Sequence, residues 1–190
     1  MGLIKYFGIK FYGFIRIMDI DKVKKLFSKG QELYYSGNYP EAKDKLSEAI
    51  LYCDSDFIGL PEMRVVFASV LKKLGNTTER SEQLNLALNE TLNLHKETSI
   101  EVTLAVQALV EHYLEIGEFN KGIAELEKYL KSEMEGAWIL FYFACLLYHK
   151  LSMLSEYEEM CQNVLKYAPK GKYENLSALK SELFNHPLFI

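Results

Sequence analysis

The run Gly30-Gln-Glu-Leu-Tyr-Tyr-Ser-Gly37-Asn-Tyr39-Pro-Glu-Ala42-Lys-Asp-Lys-Leu46-Ser-Glu-Ala49 reads as two short helices joined by a tight turn. Leu26, Gly30 and Leu33 fall at helical spacing before Gly37. Ala42, Leu46 and Ala49 do so after Tyr39. Residues three and four apart share one helix face, so each half carries a single apolar stripe. Gly37 and Tyr39 make the turn. Small residues stand where two helices must touch, and large ones fill the seam beside them. A unit of this kind cannot bury its apolar face alone, so it predicts further copies downstream.

The copies are present. Displaced by 38 residues, Gly30 meets Ala68, Leu33 meets Leu71, Gly37 meets Gly75, Leu46 meets Leu84 and Ala49 meets Ala87. Thr77 and Arg80 depart from the pattern where Tyr39 and Ala42 stood. A further displacement of 42 brings Gly117 to the turn, followed by Phe119, Gly122 and Leu126. A weaker fourth copy, 35 residues on, places Ser152 in the turn. Phe141, Ala144, Cys145 and Tyr148 line its first helix, and Tyr157, Cys161 and Val164 its second. Pro169 falls just past that helix, where a residue that cannot continue a helix is expected. Asn76-Thr77-Thr78-Glu79 and Thr98-Ser99-Ile100-Glu101 read as helix starts. The run Glu125-Leu-Glu-Lys-Tyr-Leu-Lys131 reads as helix with opposite charges on a solvated face.

These repeats resemble the tetratricopeptide (TPR) repeat, a helix-turn-helix unit of about 34 residues that stacks into a solenoid. The resemblance implies an all-α, TPR-like α-solenoid, a right-handed superhelix of stacked antiparallel helix pairs. About four repeats are expected, over residues 21–54, 59–95, 99–132 and 136–169. Residues 172–190 follow as a capping helix and an apolar tail. Tyr173, Leu176, Leu179 and Leu183 give the cap its helical spacing, and the tail from Phe184 to Ile190 is expected to tuck against it.

Composition narrows the function. Hydrophobic residues make up 49% of the 190, enough for a sizeable core. The net charge is −4, with 26 acidic against 22 basic side chains. That balance argues against nucleic acid as a partner, since phosphate binding needs clustered Lys and Arg. Cys53, Cys145 and Cys161 are few, odd in number and far apart, with no CxxC. They read as buried thiols of a reducing, cytoplasmic protein rather than a disulfide framework or zinc site. No cofactor motif is present and none is expected.

Residues 1–17 stand outside the repeat. They carry Lys5, Lys10 and Arg16, no acid, and many aromatics. The stretch is too short and too interrupted for a membrane span, and lacks the features of a secretory signal. Three readings stay open. Met18 is the natural start and the segment an upstream extension or a piece that packs on the first repeat, or the segment contacts an anionic membrane surface, or it drives self-association. The oligomeric state is left open with them. A structural protein that oligomerises or attaches to membrane in this way is the alternative function.

Catalysis finds little support. His95, His112, His149 and His186 form no HExxH motif, and no phosphate loop or GxSxG elbow exists. Cys145 and His149 lie one helical turn apart, but nothing in the sequence orients the histidine. The chain is expected not to be an enzyme.

The resemblance implies that the first helix of each unit lines a concave groove. On that mapping the groove residues are Lys24, Phe27, Gln31, Tyr34 and Tyr35, then Val65, Ser69, Lys72 and Lys73, then Gln107, Glu111 and Leu114, then Tyr142, Leu146 and His149. Aromatic rings with amides suit a peptide or helix. The cationic clamp that some TPR domains use for acidic tails is missing, since Phe27, Gln31, Val66, Leu104 and Ala108 stand at its positions. A protein-binding scaffold, adaptor or chaperone-like, is the function these features imply.

Overall fold

The computed structural model describes residues 19–188. Residues 1–17, with the three readings placed on them, lie outside this range, as does the end of the apolar tail. The described residues form nine helices and no strand: α1 (Ile20–Tyr35), α2 (Tyr39–Tyr52), α3 (Leu60–Lys73), α4 (Thr77–Leu94), α5 (Ile100–Glu115), α6 (Phe119–Leu126), α7 (Ala137–Lys150), α8 (Leu154–Tyr167) and α9 (Leu176–Asn185). The helices pack as consecutive pairs, α1 on α2, α3 on α4, α5 on α6 and α7 on α8, and each pair packs on the next. α9 closes the array against α8.

Every pair turns in the same way. Gly37, Gly75, Gly117 and Ser152 have positive φ of 81°, 73°, 75° and 58°. In each turn the next backbone N–H reaches back to a carbonyl five residues earlier. Asn38 donates to Leu33, Asn76 to Leu71, Glu118 to Tyr113 and Met153 to Tyr148, all at 2.9 Å. The turn residue itself donates three back, at 3.0–3.3 Å. These bonds satisfy carbonyls that a helix end leaves open, and they require one left-handed residue. Glycine takes that conformation freely; Ser152 takes it at a cost.

The seams explain the small residues. A Cβ on Gly30 would lie 2.6 Å from Leu46 Cγ, and one on Gly122 would lie 2.9 Å from Leu147 Cδ2. Both leucines are fully buried and have no room to give. Helix starts are capped where the sequence provides oxygen acceptors. Asp19 and Asn175 accept from Lys22 N and Ala178 N, each at 3.0 Å, and Ser99 caps α5.

The core falls into three clusters. Val23, Ala49 and Met63 form one. Leu33, Ala42, Leu46, Phe67, Val70 and Leu71 form a second. The third runs from Ala68 through α5, α7 and α8 to Leu179 and Leu183. α7 is its centre: every residue from Leu140 to Tyr148 is buried. A helix apolar on all sides must be covered on all sides. α5, α6 and α8 do this, with the chain after Pro169 completing the cover.

The expected helix through Lys131 is corrected. α6 ends at Leu126, and the chain continues in turns, with Tyr129 N donating to Leu126 O at 2.9 Å. The reason is tertiary. Tyr129 and Met134 are drawn into the core, Glu135 N donates to Thr98 O at 2.8 Å, and Thr103 Oγ1 donates to Glu135 O at 2.7 Å. Straight helix would carry Tyr129 and Met134 past these partners. In the tail Leu188 packs on the core, while Phe184 stays 67% exposed.

Substitution at the turns isolates the backbone cost, because a Cβ on Gly117 would meet no atom within 4 Å. Gly117→Ala is expected to lose roughly 1–2 kcal/mol of unfolding free energy. Ser152→Gly is expected to gain up to about 1 kcal/mol. Urea denaturation of both variants reads the two opposite signs.

Candidate interaction groove

Three cavities open along one side of the array. The first, about 560 Å³, lies between α5, α7 and the chain after Pro169. The second, about 230 Å³, lies between α3 and α5, with Tyr34 of α1 at its edge. The third, about 430 Å³, lies at the N-terminal ends of the same two helices. Lys72 and Glu111 line both the first and the second. Val65 lines both the second and the third. The three are therefore neighbours that share wall residues along α3 and α5.

The groove gathers Tyr34, Val65, Ser69, Lys72, Lys73, Gln107, Glu111 and Tyr142. Tyr34 is half-buried, its ring edge-on to Tyr35 at 5.5 Å and tilted to Tyr39 at 5.9 Å. Ser69 Oγ donates to Val65 O at 3.1 Å, so its side chain lies along its own helix and leaves the groove open. Other sequence-predicted residues lie elsewhere. Phe27 is half-buried between the two N-terminal core clusters. Lys24 borders a separate hollow with Lys25, Ser28, Lys29 and Glu32. Gln31 and Tyr35 line none of the three cavities, and Tyr35 is 81% exposed. His149 packs its ring 5.8 Å from that of Tyr157, on the α8 side of α7. Leu114 and Leu146 are core residues, and Tyr142 is only 7% exposed. Tyr142 lies under His186, ring centres 5.8 Å apart, and burial pushes its pKa up to about 12. It forms the floor of the groove rather than a projecting ring.

Where the first and second cavities meet, charges concentrate. Glu115 is bonded by Lys72 Nζ and, at 2.5 Å, by Arg80 Nη1. Burial acts to raise the Glu115 pKa, but these two bonds outweigh it and hold the carboxyl low. Arg80 thus accounts for its own departure from the repeat: its guanidinium crosses from α4 to α5 in place of a small residue. Glu111, half-buried, has its pKa raised by burial and by Glu115 beside it. Behind them His112 is fully buried, and neither ring nitrogen has a hydrogen-bond partner. Burial, and then the Arg80 guanidinium, lowers its pKa and keeps the ring neutral.

Sequence reasoning missed the far wall. Trp138, Lys172, Tyr173, Glu182, His186 and Leu188 line the first cavity. Tyr173 was legible as part of a cap. That the cap folds back over α7 was not, because no repeat pattern covers residues 170–188.

Cys145 and His149 do not form a nucleophile and base. Cys145 Sγ lies 3.5 Å from Cys161 Sγ, and burial raises its pKa, opposite to what a reactive thiolate requires. No group of three His, Cys, Asp or Glu among the described residues is placed to hold a metal. No helix among them is long and apolar enough to cross a membrane.

No protein-family model matches the sequence, and no curated protein matches it. Its fold is similar to that of a solved structure, a Podospora anserina chain described as having nearly identical TPR-like repeats. The two share 13% identity with a TM-score of 0.64, over 91% of this chain and 82% of that one. At that identity the likeness establishes the fold alone, a TPR-like α-solenoid.

His112 carries a pH dependence. Its folded-state pKa is lowered, so its contribution to stability is full above the unfolded value of about 6.5 and is lost as pH falls toward the folded value. Unfolding free energy is expected to fall by up to about 1.4 kcal/mol per pH unit across that window. His112→Leu, which removes two unpartnered buried nitrogens, is expected to flatten this limb without loss at pH 7.5. Urea midpoints from pH 7.5 to 5.5 measure it.

Proposed function

We propose that the chain is a non-catalytic protein-interaction scaffold, adaptor or chaperone-like, that holds a peptide or helix in its concave groove. The observation that supports this is the adjacency of the three cavities, neighbours of which share Lys72, Glu111 or Val65. A groove of this length, lined by Tyr34, Val65, Ser69, Lys72, Gln107 and Glu111, offers apolar area with spaced polar partners for peptide groups. Three free thiols agree with the reducing cytoplasm as its place of action.

Rigid rings supply area at low entropic cost, so Tyr34 acts as an anchor at one end. Gln107, half-buried on α5, presents both a donor and an acceptor to a main chain. Lys72 and Glu111 fix register between the cavities.

Nonapeptides selected by display against the full chain give the probes. Ser69→Trp places an indole in the second cavity. It is expected to weaken the selected peptides by about ten-fold or more, a loss of roughly 1.4 kcal/mol. Tyr35→Ala, outside the cavities, is expected to leave affinity unchanged. Equal binding by wild type and Ser69→Trp, measured by fluorescence anisotropy, would place the interaction on another face.

A further inference from the structure

We infer that Cys145 and Cys161 are a modification site, at which oxidation by a peroxide forms a disulfide that staples α7 to α8. The site stands apart from the groove and does not depend on it. The two sulfurs lie 3.5 Å apart, and both residues are fully buried. The third thiol is elsewhere: Cys53 packs in the N-terminal core, its sulfur 3.7 Å from Met63 Sδ.

The repeat register brings the sulfurs together. Cys145 stands seven residues before the turn residue Ser152, and Cys161 nine after it. Gly30 and Leu46 hold the same places about Gly37, Ala68 and Leu84 about Gly75, and Val110 and Leu126 about Gly117. In the first pair this is a point of very close approach, where a Cβ on Gly30 would lie 2.6 Å from Leu46 Cγ. In the other three seams a leucine faces a glycine, an alanine or a valine. The fourth seam has a thiol on both sides. A disulfide needs Cβ atoms roughly 3.5–4.5 Å apart, which packed helices reach only at such a crossing. Rotation about χ1 of the two cysteines is the motion that closes the remaining distance to a bond of about 2.0 Å.

The chemistry balances with one peroxide. Burial raises the Cys145 pKa, whereas bonding to Cys145, and then to Tyr157, outweighs burial and holds Cys161 below the usual thiol range. Cys161 therefore reacts first. Its sulfur attacks one peroxide oxygen, the O–O bond breaks, and a sulfenic acid forms while the second oxygen leaves with the thiol proton as water. The Cys145 sulfur then attacks the sulfenic sulfur. The S–S bond forms, the S–O bond breaks, and the departing hydroxide takes the Cys145 proton as a second water. Two electrons pass from the sulfurs to the peroxide. Neither thiol is exposed, so reaction waits on local opening and favours a small, neutral oxidant. The bond closes the α7–α8 hairpin on itself and restricts the unfolded chain.

The full chain is treated with hydrogen peroxide in native buffer, then unfolded in N-ethylmaleimide and digested without reduction. Mass spectrometry is expected to find two peptides joined through Cys145 and Cys161, two hydrogens lighter than the reduced pair and separated by dithiothreitol. Cys53→Ser is expected to give the same link. Cys145→Ala, which places there the residue of the second seam, is expected to abolish it. The urea midpoint of the linked chain is expected to rise by about 1 M. Recovery of Cys145 and Cys161 as alkylated thiols, a link through Cys53 instead, or a link formed only when peroxide acts in denaturing urea would each overturn the site. A midpoint lowered by the link would overturn the staple. The peptide map of the wild-type chain decides the site without either variant.

Discussion

Each helix pair reverses through one residue of left-handed backbone, and the rest of the structure hangs on that constraint. The turn fixes where the second helix starts, hence which residues of the two helices face each other. With Gly37 at the turn, Gly30 comes to rest against Leu46. With Gly117 there, Gly122 meets Leu147 across to α7. Close approach then sets the pair's width, and the width sets how the next pair stacks. The fourth turn uses Ser152, which tolerates the conformation because α7 is held on every side by buried contacts.

Charge and cavity arise from the same stacking. α3 and α5 stand apart where the second cavity opens, and the gap is bridged at one end by Lys72 and Arg80 meeting Glu115. Breaking one member of such a partly buried set leaves uncompensated charge, so the set also fixes how the two pairs are spaced. The same bridge confines Glu111 and His112. Their opposite pKa shifts follow from one cause, burial, which disfavours whichever form carries charge.

Much of this was legible in the sequence. The apolar stripes and turn residues follow from helical period and backbone sterics, which act locally. Even Ser152, with no glycine to mark it, was found by spacing. The end of α6 was not legible: Glu125 to Lys131 has helical character, and only the distant Thr98 and Thr103 pull the chain away. The groove was half legible. On α3 and α5, Val65, Ser69, Lys72, Lys73, Gln107 and Glu111 line the cavities, while Leu114 is core. On α7 Tyr142 lines a cavity as its floor under His186, Leu146 is core, and His149 packs on Tyr157 of α8; the path of the C-terminal segment over Tyr142 is encoded by no period. Tyr35 and Lys24 of α1 line none of the three cavities.

The division of the core into three clusters bears on cooperativity. Ala68 belongs to the large C-terminal cluster, while its neighbours Phe67, Val70 and Leu71 belong to the one built on α1 and α2. One helix therefore carries the boundary between two bodies of apolar contact. Solenoids gain stability by neighbour-to-neighbour coupling, and the thinnest coupling sets where the array opens. A substitution in α3 therefore reaches two bodies of apolar contact at once, whereas one in α2 or in α8 reaches a single side of that boundary.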